Sequence, residues 1–388
     1  MRNSSDRILT THVGSLPRPH DLLDVLKARL DGEPVDPAAY DAKIADAVDR
    51  MVGQQVAAGI DIVADGEMSK PGHAIYIEER LSGYEPRPGH DTGYYAAEKA
   101  AFPEYYEEYF KRAHLGGAIA PAHPVACVGP VEYVGREALR KDLENLRASC
   151  ERHGVEEAFM PCAAVTGVGF NEYYPDQEAY MYAVADALSV EYNGIIEAGF
   201  LLQVDDPFLP HVYMDTALSE TERRAKANLF VETVNHSIRG IPPEKIRYHT
   251  CYGINQGPRV HEPDLPMMVN EVLKVNAGAY SFEAGNPRHE HEYHLWEHVA
   301  LPEGKLILPG VITHASSVVE HPEYIAERII RFADRVGREN VIASTDCGFS
   351  SQAIYKTEVE NRVVWAKLEA LTEGARIASA RLWSKAVA

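Results

Sequence analysis

His249 and Cys251 stand two residues apart in the stretch His-Thr-Cys. On an extended strand that spacing turns an imidazole and a thiol to the same face. Glu283, in Phe-Glu-Ala, and Cys347, in Asp-Cys-Gly, add a carboxylate and a second thiol. One imidazole, two thiolates and one carboxylate form a donor set for tetrahedral zinc. Soft thiolates favour zinc over magnesium or calcium. A site with two thiolates, one imidazole and a displaceable fourth ligand suits catalysis, because zinc keeps a sulfur as thiolate, ready to attack an electrophilic carbon. Cys127, Cys150 and Cys162 have no such partners in the pattern and read as ordinary buried thiols.

These donors need elements that bring distant positions together. Short apolar runs at 8–13, 61–64, 158–163, 201–204, 246–249, 279–282, 306–309 and 341–343 read as strands. Helical patterns alternate with them at 39–58, 136–153, 176–198, 219–239, 265–276, 289–299, 322–336 and 357–378. Eight strand–helix alternations predict an α/β chain folded as a (β/α)8 TIM barrel spanning 1–388 as a single catalytic domain. A doubly wound open sheet is the alternative, but no Gly-x-Gly-x-x-Gly follows a strand to support a dinucleotide version. In such a barrel chemistry sits at the C-terminal strand ends. Those ends carry Ser15, Asp65 and Glu67, Asp205 and Asp206, His249 and Cys251, Glu283, Thr313 and His314, and Asp346 and Cys347.

One segment breaks the alternation. Residues 84–134, rich in Tyr, Pro, Gly and Glu up to Pro124, form an insertion after strand two, with an extra strand or hairpin expected at 125–134. A segment this long is expected to be a lid or a homo-oligomer contact, and its tyrosines could wall off an apolar pocket for an electrophile. Asp206 could cap the turn that follows it, and His289, His291, His294 and His298 read as a solvated helix face. His12 and His73 fall near the expected mouth.

The chain has 38 Lys+Arg against 58 Asp+Glu among 388 residues, a net charge of −20. That excess of acid argues against nucleic acid and against anionic membrane as partners. No apolar run approaches the roughly 18 residues of a spanning helix. The first residues, MRNSSDRILTTHVGS, hold no signal-peptide core. Five widely spaced cysteines are expected to stay reduced, as in the cytoplasm.

The stretches THVGSLPRP (11–19), GIDIVADGE (59–67), LLQVDDP (201–207), HTC (249–251), SFEAGNPRHEHE (281–292), LPGVITHASSVVEHPE (308–323) and VIASTDCGFSS (341–351) resemble the cobalamin-independent methionine synthase family. The likeness is to its short single-barrel members, which match the catalytic C-terminal half of the full-length enzyme. It implies a (β/α)8 barrel with zinc held by His249, Cys251, Glu283 and Cys347, the glutamate yielding when the thiol binds. It implies homocysteine as the thiol, with Ser15 for its carboxylate and Glu67 and Asp205 for its amine. It implies His314 as the residue that assists methyl transfer. The stretches answer to the catalytic half alone, and −20 offers no basic surface for a polyglutamate tail. The alkyl donor is therefore a methyl-corrinoid, a methylfolate or another small molecule. A related branch, the epoxyalkane:coenzyme M transferases, opens an epoxide with a thiolate instead. A sulfonate would need a cationic clamp, from Arg18, Arg259 or Arg288, whereas an acidic pair favours an ammonium group. Salt bridges from Glu67 and Asp205 to Arg80 or Arg288 are the simpler structural reading of that pair. A zinc-binding protein without turnover is the remaining reading.

Overall fold

Short β-branched runs with no polar face must be covered on both sides, and a closed barrel ringed by helices does this without leaving an edge. The computed structural model describes residues 1–73, 75–112, 117–120, 123–253 and 256–384. Eight parallel strands form one sheet: β1 (Leu9–Thr10), β2 (Ile62–Ala64), β3 (Glu157–Ala163), β4 (Leu201–Asp206), β5 (Ile246–Thr250), β6 (Ala279–Phe282), β7 (Leu306–Ile312) and β8 (Ile342–Thr345). Ladders run in sequence from β2 to β8, and β8 pairs back onto β1. The β1–β2 seam is bridged by Asp61 N donating to Thr10 O at 3.1 Å and Thr11 Oγ1 donating to Ile62 O at 2.9 Å. The architecture is the expected (β/α)8 barrel.

The outer helices follow local signals. Asp36 and Asp176 cap Pro37–Ala57 and Gln177–Glu197 through their carboxylates, and Ser219 with Glu222 forms a capping box before Glu220–Ser237. Pro322 occupies the first turn of Pro322–Val336, where its missing N–H costs nothing. Two expected helices are shorter or tighter. The 265–276 pattern splits into a 3₁₀ turn, Leu265–Met267, and the helix Val269–Lys274. Pro266 lacks the N–H that a continuous helix would use. The 289–299 pattern becomes the 3₁₀ segment Glu290–Glu297, which buries Glu292 and Leu295 three residues apart.

The barrel interior changes character from bottom to top. Near the N-terminal ends Leu9, Ile62, Phe159, Leu201, Ala279, Leu306, Leu308 and Ile342 form an apolar plug, with Met1 packed against it. Above it Arg247 lies 3.8 Å over the Phe159 ring and donates to Thr11 Oγ1 at 3.0 Å and His12 O at 2.8 Å. Higher still the inward residues are Asp205, His249 and Glu283. The polar layer is thus confined to the C-terminal mouth.

The insertion covers that mouth. Tyr84–Pro86 and Val125–Cys127 pair with Phe170–Asn171 in a small three-stranded sheet, and Ala96–Ala101 and Pro103–Arg112 are helical. The strand expected over 125–134 stops at Cys127, and Tyr133 makes a single bridge to Leu81. Residues 113–116 and 121–122 of the insertion lie outside the described residues.

Close contact between β7 and β8 aims Asp346 inward. The register shifts between Gly310 and Ile312, and a Cβ at Gly310 would lie 2.5 Å from the Asp346 backbone. Gly310→Ala should therefore cost about 1–3 kcal/mol or more of unfolding free energy. Urea denaturation of the variant and parent measures it; equal midpoints would contradict this close approach.

Candidate functional site

His249, Cys251 and Cys347 come together at the mouth. Their donor atoms lie within 4.8 Å of one another and all three residues are buried. The two sulfurs are 3.2 Å apart, and Gly253 N donates to Cys251 Sγ at 3.2 Å. The Cys347 thiol's hydrogen bond and nearby His249 hold Cys251 well below the usual thiol range, while Cys347 is raised. The pair therefore favours one thiolate. His249 Nδ1 bonds Ser281 Oγ at 3.1 Å, and Nε2 is buried with no hydrogen-bond partner among the described residues. An imidazole fixed through one nitrogen, with the other unpartnered beside two thiols, fits a metal ligand set.

A cavity of about 1100 Å³ opens above these donors. Ser15, Glu67, His73 and Asp205 line it together with His249, Cys251 and Cys347. Glu67, His73 and Asp205 bring their own ligating atoms within 4.8 Å of one another. Glu67 sits at φ 61°, strained for a residue with a side chain, and is held by Arg18 donating to its carbonyl at 2.8 Å and Asp65 accepting its N–H at 3.0 Å. Its ionic neighbour is Lys70 at 3.6 Å, while Arg80 pairs with Asp142. The bridging to Arg80 or Arg288 weighed from sequence does not form. Burial pushes Asp205 up to about 8. Ser15 Oγ lies 3.4 Å from both Ser350 N and Ser351 Oγ, and Gly348 leaves it room, since a Cβ there would strike Ser15 Oγ. The outer wall is aromatic. Tyr94 and Tyr95 of the insertion pack with Phe208 and His211, and burial lowers His211 to about 4, leaving it neutral.

Glu283 and His314 occupy a separate group with Asp346, also within 4.8 Å, and neither is among the described cavity-lining residues. Glu283 Oε2 accepts from Arg259 Nη2 at 2.7 Å and Asn286 Nδ2 at 2.6 Å, while Oε1 has no hydrogen-bond partner among the described residues. Burial raises this carboxyl and Arg259 lowers it; at 2.7 Å the geometry fits the ion pair. Both ring nitrogens of His314 are buried without a hydrogen-bond partner among the described residues, and burial drives its pKa well below the usual value.

The family described as the cobalamin-independent synthase catalytic domain matches residues 121–367. This chain belongs to that family. It is 23% identical over 377 residues to the methionine synthase of Sulfurisphaera tokodaii, covering 97% of this chain and 94% of that protein. In fold it is similar to a B12-independent methionine synthase from Shewanella sp. W3-18-1, at TM-score 0.69 and 21% identity over 97% of this chain and 99% of the other. A second solved structure, of a protein from Listeria monocytogenes, gives 0.66 and 17% over 96% and 98%.

Against the roles the family resemblance implies, the structure gathers His249, Cys251 and Cys347, and beside them Ser15, Glu67 and Asp205. Glu283 and His314 lie in the adjoining group rather than within the three-donor set. His73 joins the acidic pair, whereas His12 bonds Gln55 at 2.7 Å in the core and is held near 4 by burial. Asp206 caps the turn as expected, accepting from Phe208 N and Leu209 N. The sequence missed the residues that hold Glu283. Arg259 appears there only as a sulfonate clamp, and Asn286, at i+3 from Glu283, goes unnoticed.

His289 requires a correction. It is 1% exposed, not part of a solvated face. Its Nε2 lies 3.2 Å from Glu262 and its Nδ1 3.1 Å from Glu292. Burial alone would lower this imidazole, but the two carboxylates outweigh it and raise it to about 10. Its folded value exceeds its unfolded one, so the stabilisation is complete below about 6.5 and disappears as pH rises through about 10. The Tm difference between the parent and His289→Gln should be largest near pH 6 and shrink toward pH 10. A difference independent of pH would show that the imidazole is not held protonated.

Proposed function

We propose that this chain is a zinc-dependent methyltransferase that converts homocysteine to methionine. The observation that carries the reading is one cavity lined by two kinds of group: a buried imidazole with two thiols, and the acidic pair Glu67 and Asp205. Zinc, when bound by His249, Cys251 and Cys347 with Glu283 as the exchangeable fourth ligand, would keep the substrate sulfur as thiolate.

The remaining work falls to side chains. Ser281 fixes the His249 ring through Nδ1 and leaves Nε2 available as a ligand. Glu67 and Asp205 take the ammonium group, and Ser15 takes the carboxylate, so the thiol enters in one orientation. On entry the thiol gives up its proton to solvent water. Its sulfur then forms a bond to the methyl carbon as that carbon's bond to the donor breaks in line. His314 supports the leaving group; held neutral by burial, it does so as a hydrogen-bonding group from beside Glu283. Tyr94, Tyr95 and Phe208 exclude water from the reacting sulfur.

The lining also bears on the partners. The acidic pair beside the donors favours the ammonium of homocysteine over the sulfonate of coenzyme M. The net charge of −20 favours a methyl-corrinoid or another small donor over a folate polyglutamate. Five free cysteines suit a reducing, cytoplasmic setting, and among the described residues no helix is long and apolar enough to cross a membrane.

Metal analysis should find about one zinc per chain, lost in Cys347→Ser. Turnover assays should give methylation of homocysteine and no epoxide opening with coenzyme M. Fully active protein free of zinc, or activity with coenzyme M alone, would overturn the proposal. Glu67→Gln should keep its zinc yet raise KM for homocysteine on the order of 30-fold, as expected when a buried charge loses its partner. An unchanged KM would remove Glu67 from the ammonium site.

A further inference from the structure

Glu283 is held through one oxygen. Arg259 Nη2 and Asn286 Nδ2 both donate to Oε2, at 2.7 and 2.6 Å, and Oε1 has no hydrogen-bond partner among the described residues. Arg259 is itself anchored. Its Nε donates to Glu262 Oε1 at 2.7 Å, and Glu262 Oε2 lies 3.2 Å from His289 Nε2. His289 Nδ1 is 3.1 Å from Glu292, whose Oε1 accepts Leu265 N at 2.9 Å. The side chains of Arg259, Glu262, His289 and Glu292 are each 3% exposed or less. Arg259 adopts φ 58°, a conformation that a side-chain-bearing residue keeps only where its surroundings enforce it. Tyr252 stacks on His289 at 4.4 Å and directly follows Cys251 in the chain, so the same network braces the strand end that carries Cys251.

We propose that Arg259 is a positioning residue that draws Glu283 back from the His249–Cys251–Cys347 group and so keeps the fourth metal position open to a thiol. The inference rests on the metal reading given under Proposed function. A guanidinium on one carboxylate oxygen occupies that oxygen and withdraws charge from the other. Glu283 is then a one-point, weakened ligand with a waiting partner to receive it when a thiol arrives. Without Arg259 the same carboxylate could turn both oxygens to the metal and hold it closed. Asn286 alone could not oppose this, because it is neutral.

The test uses the full chain loaded with Co(II), whose visible bands report coordination. The parent, Arg259→Lys, Arg259→Gln and the double variant Arg259→Gln/Glu262→Gln are titrated with homocysteine, and their Co(II) affinity is measured against a chelator. The double variant removes one of the two carboxylate charges that Arg259→Gln would leave buried, so it reads the same question if the single variant does not fold. Loss of Arg259 should tighten Co(II) binding by about tenfold or more, the reverse of the loss that follows removal of an outer-shell group that supports a ligand. It should raise the homocysteine concentration that changes the spectrum by a similar factor, with Arg259→Lys close to the parent. Folded variants with parental metal affinity and a parental thiol titration would overturn the role of Arg259. A parent that binds no Co(II), or whose bands ignore homocysteine, would instead overturn the metal reading on which the inference rests.

Discussion

Two sulfurs 3.2 Å apart, beside a buried imidazole nitrogen with no hydrogen-bond partner among the described residues, are the constraint on which the rest of the structure turns. Such a cluster is unfavourable in an apolar interior unless something satisfies it. It therefore demands rigid strands beneath it and polar neighbours around it. The parallel ladder supplies the first, setting His249 opposite Asp205 and Ser281 on the adjoining strands. Ser281 then fixes the ring, and Gly253 N supports Cys251. The helices and their caps matter to the site only through this strand register.

The vertical gradient inside the barrel explains why one end is chemically competent and the other is not. Leucines, isoleucines and Phe159 fill the bottom, and Met1 closes it. Arg247 marks the boundary: stacked on Phe159 and bonded to Thr11 and His12, it has its pKa lowered to about 9 by burial. Above it the buried charges are organised into chains rather than left single. Glu283, Arg259, Glu262, His289 and Glu292 form one chain, and Lys70, Glu67 and Arg18 hold another side of the mouth. Buried ion pairs of this kind contribute less to stability than to fixing one arrangement, since each charge tolerates only its own partner. That specificity decides which carboxylate is free and which is held.

The insertion gives this barrel its particular roof. Its tyrosines pack with Phe208 and a neutral His211, so this part of the wall is aromatic. Glu67 and Asp205 line the same cavity as His249, Cys251 and Cys347.

Sequence alone determined the scaffold and the identities of the donors. Hydrophobic period and turn chemistry are local, so strand–helix alternation and the polar strand ends were legible along the chain. Family motifs suggested roles for Ser15, Glu67 and Asp205, which already stood on the strand-end list. Only tertiary structure decided who meets whom. Cys251 and Cys347 are 96 positions apart, and their contact follows from barrel closure, not from any spacing. The same holds for Arg259 reaching Glu283 across 24 positions and for His289 turning inward between two glutamates. A run of His and Glu looks solvated by composition, because periodicity cannot say that a tight 3₁₀ turn presses one of its histidines against buried carboxylates. Local patterns fix which residues reach the rim; the pairing of charges across it depends on register and closure, which arise from the whole sheet.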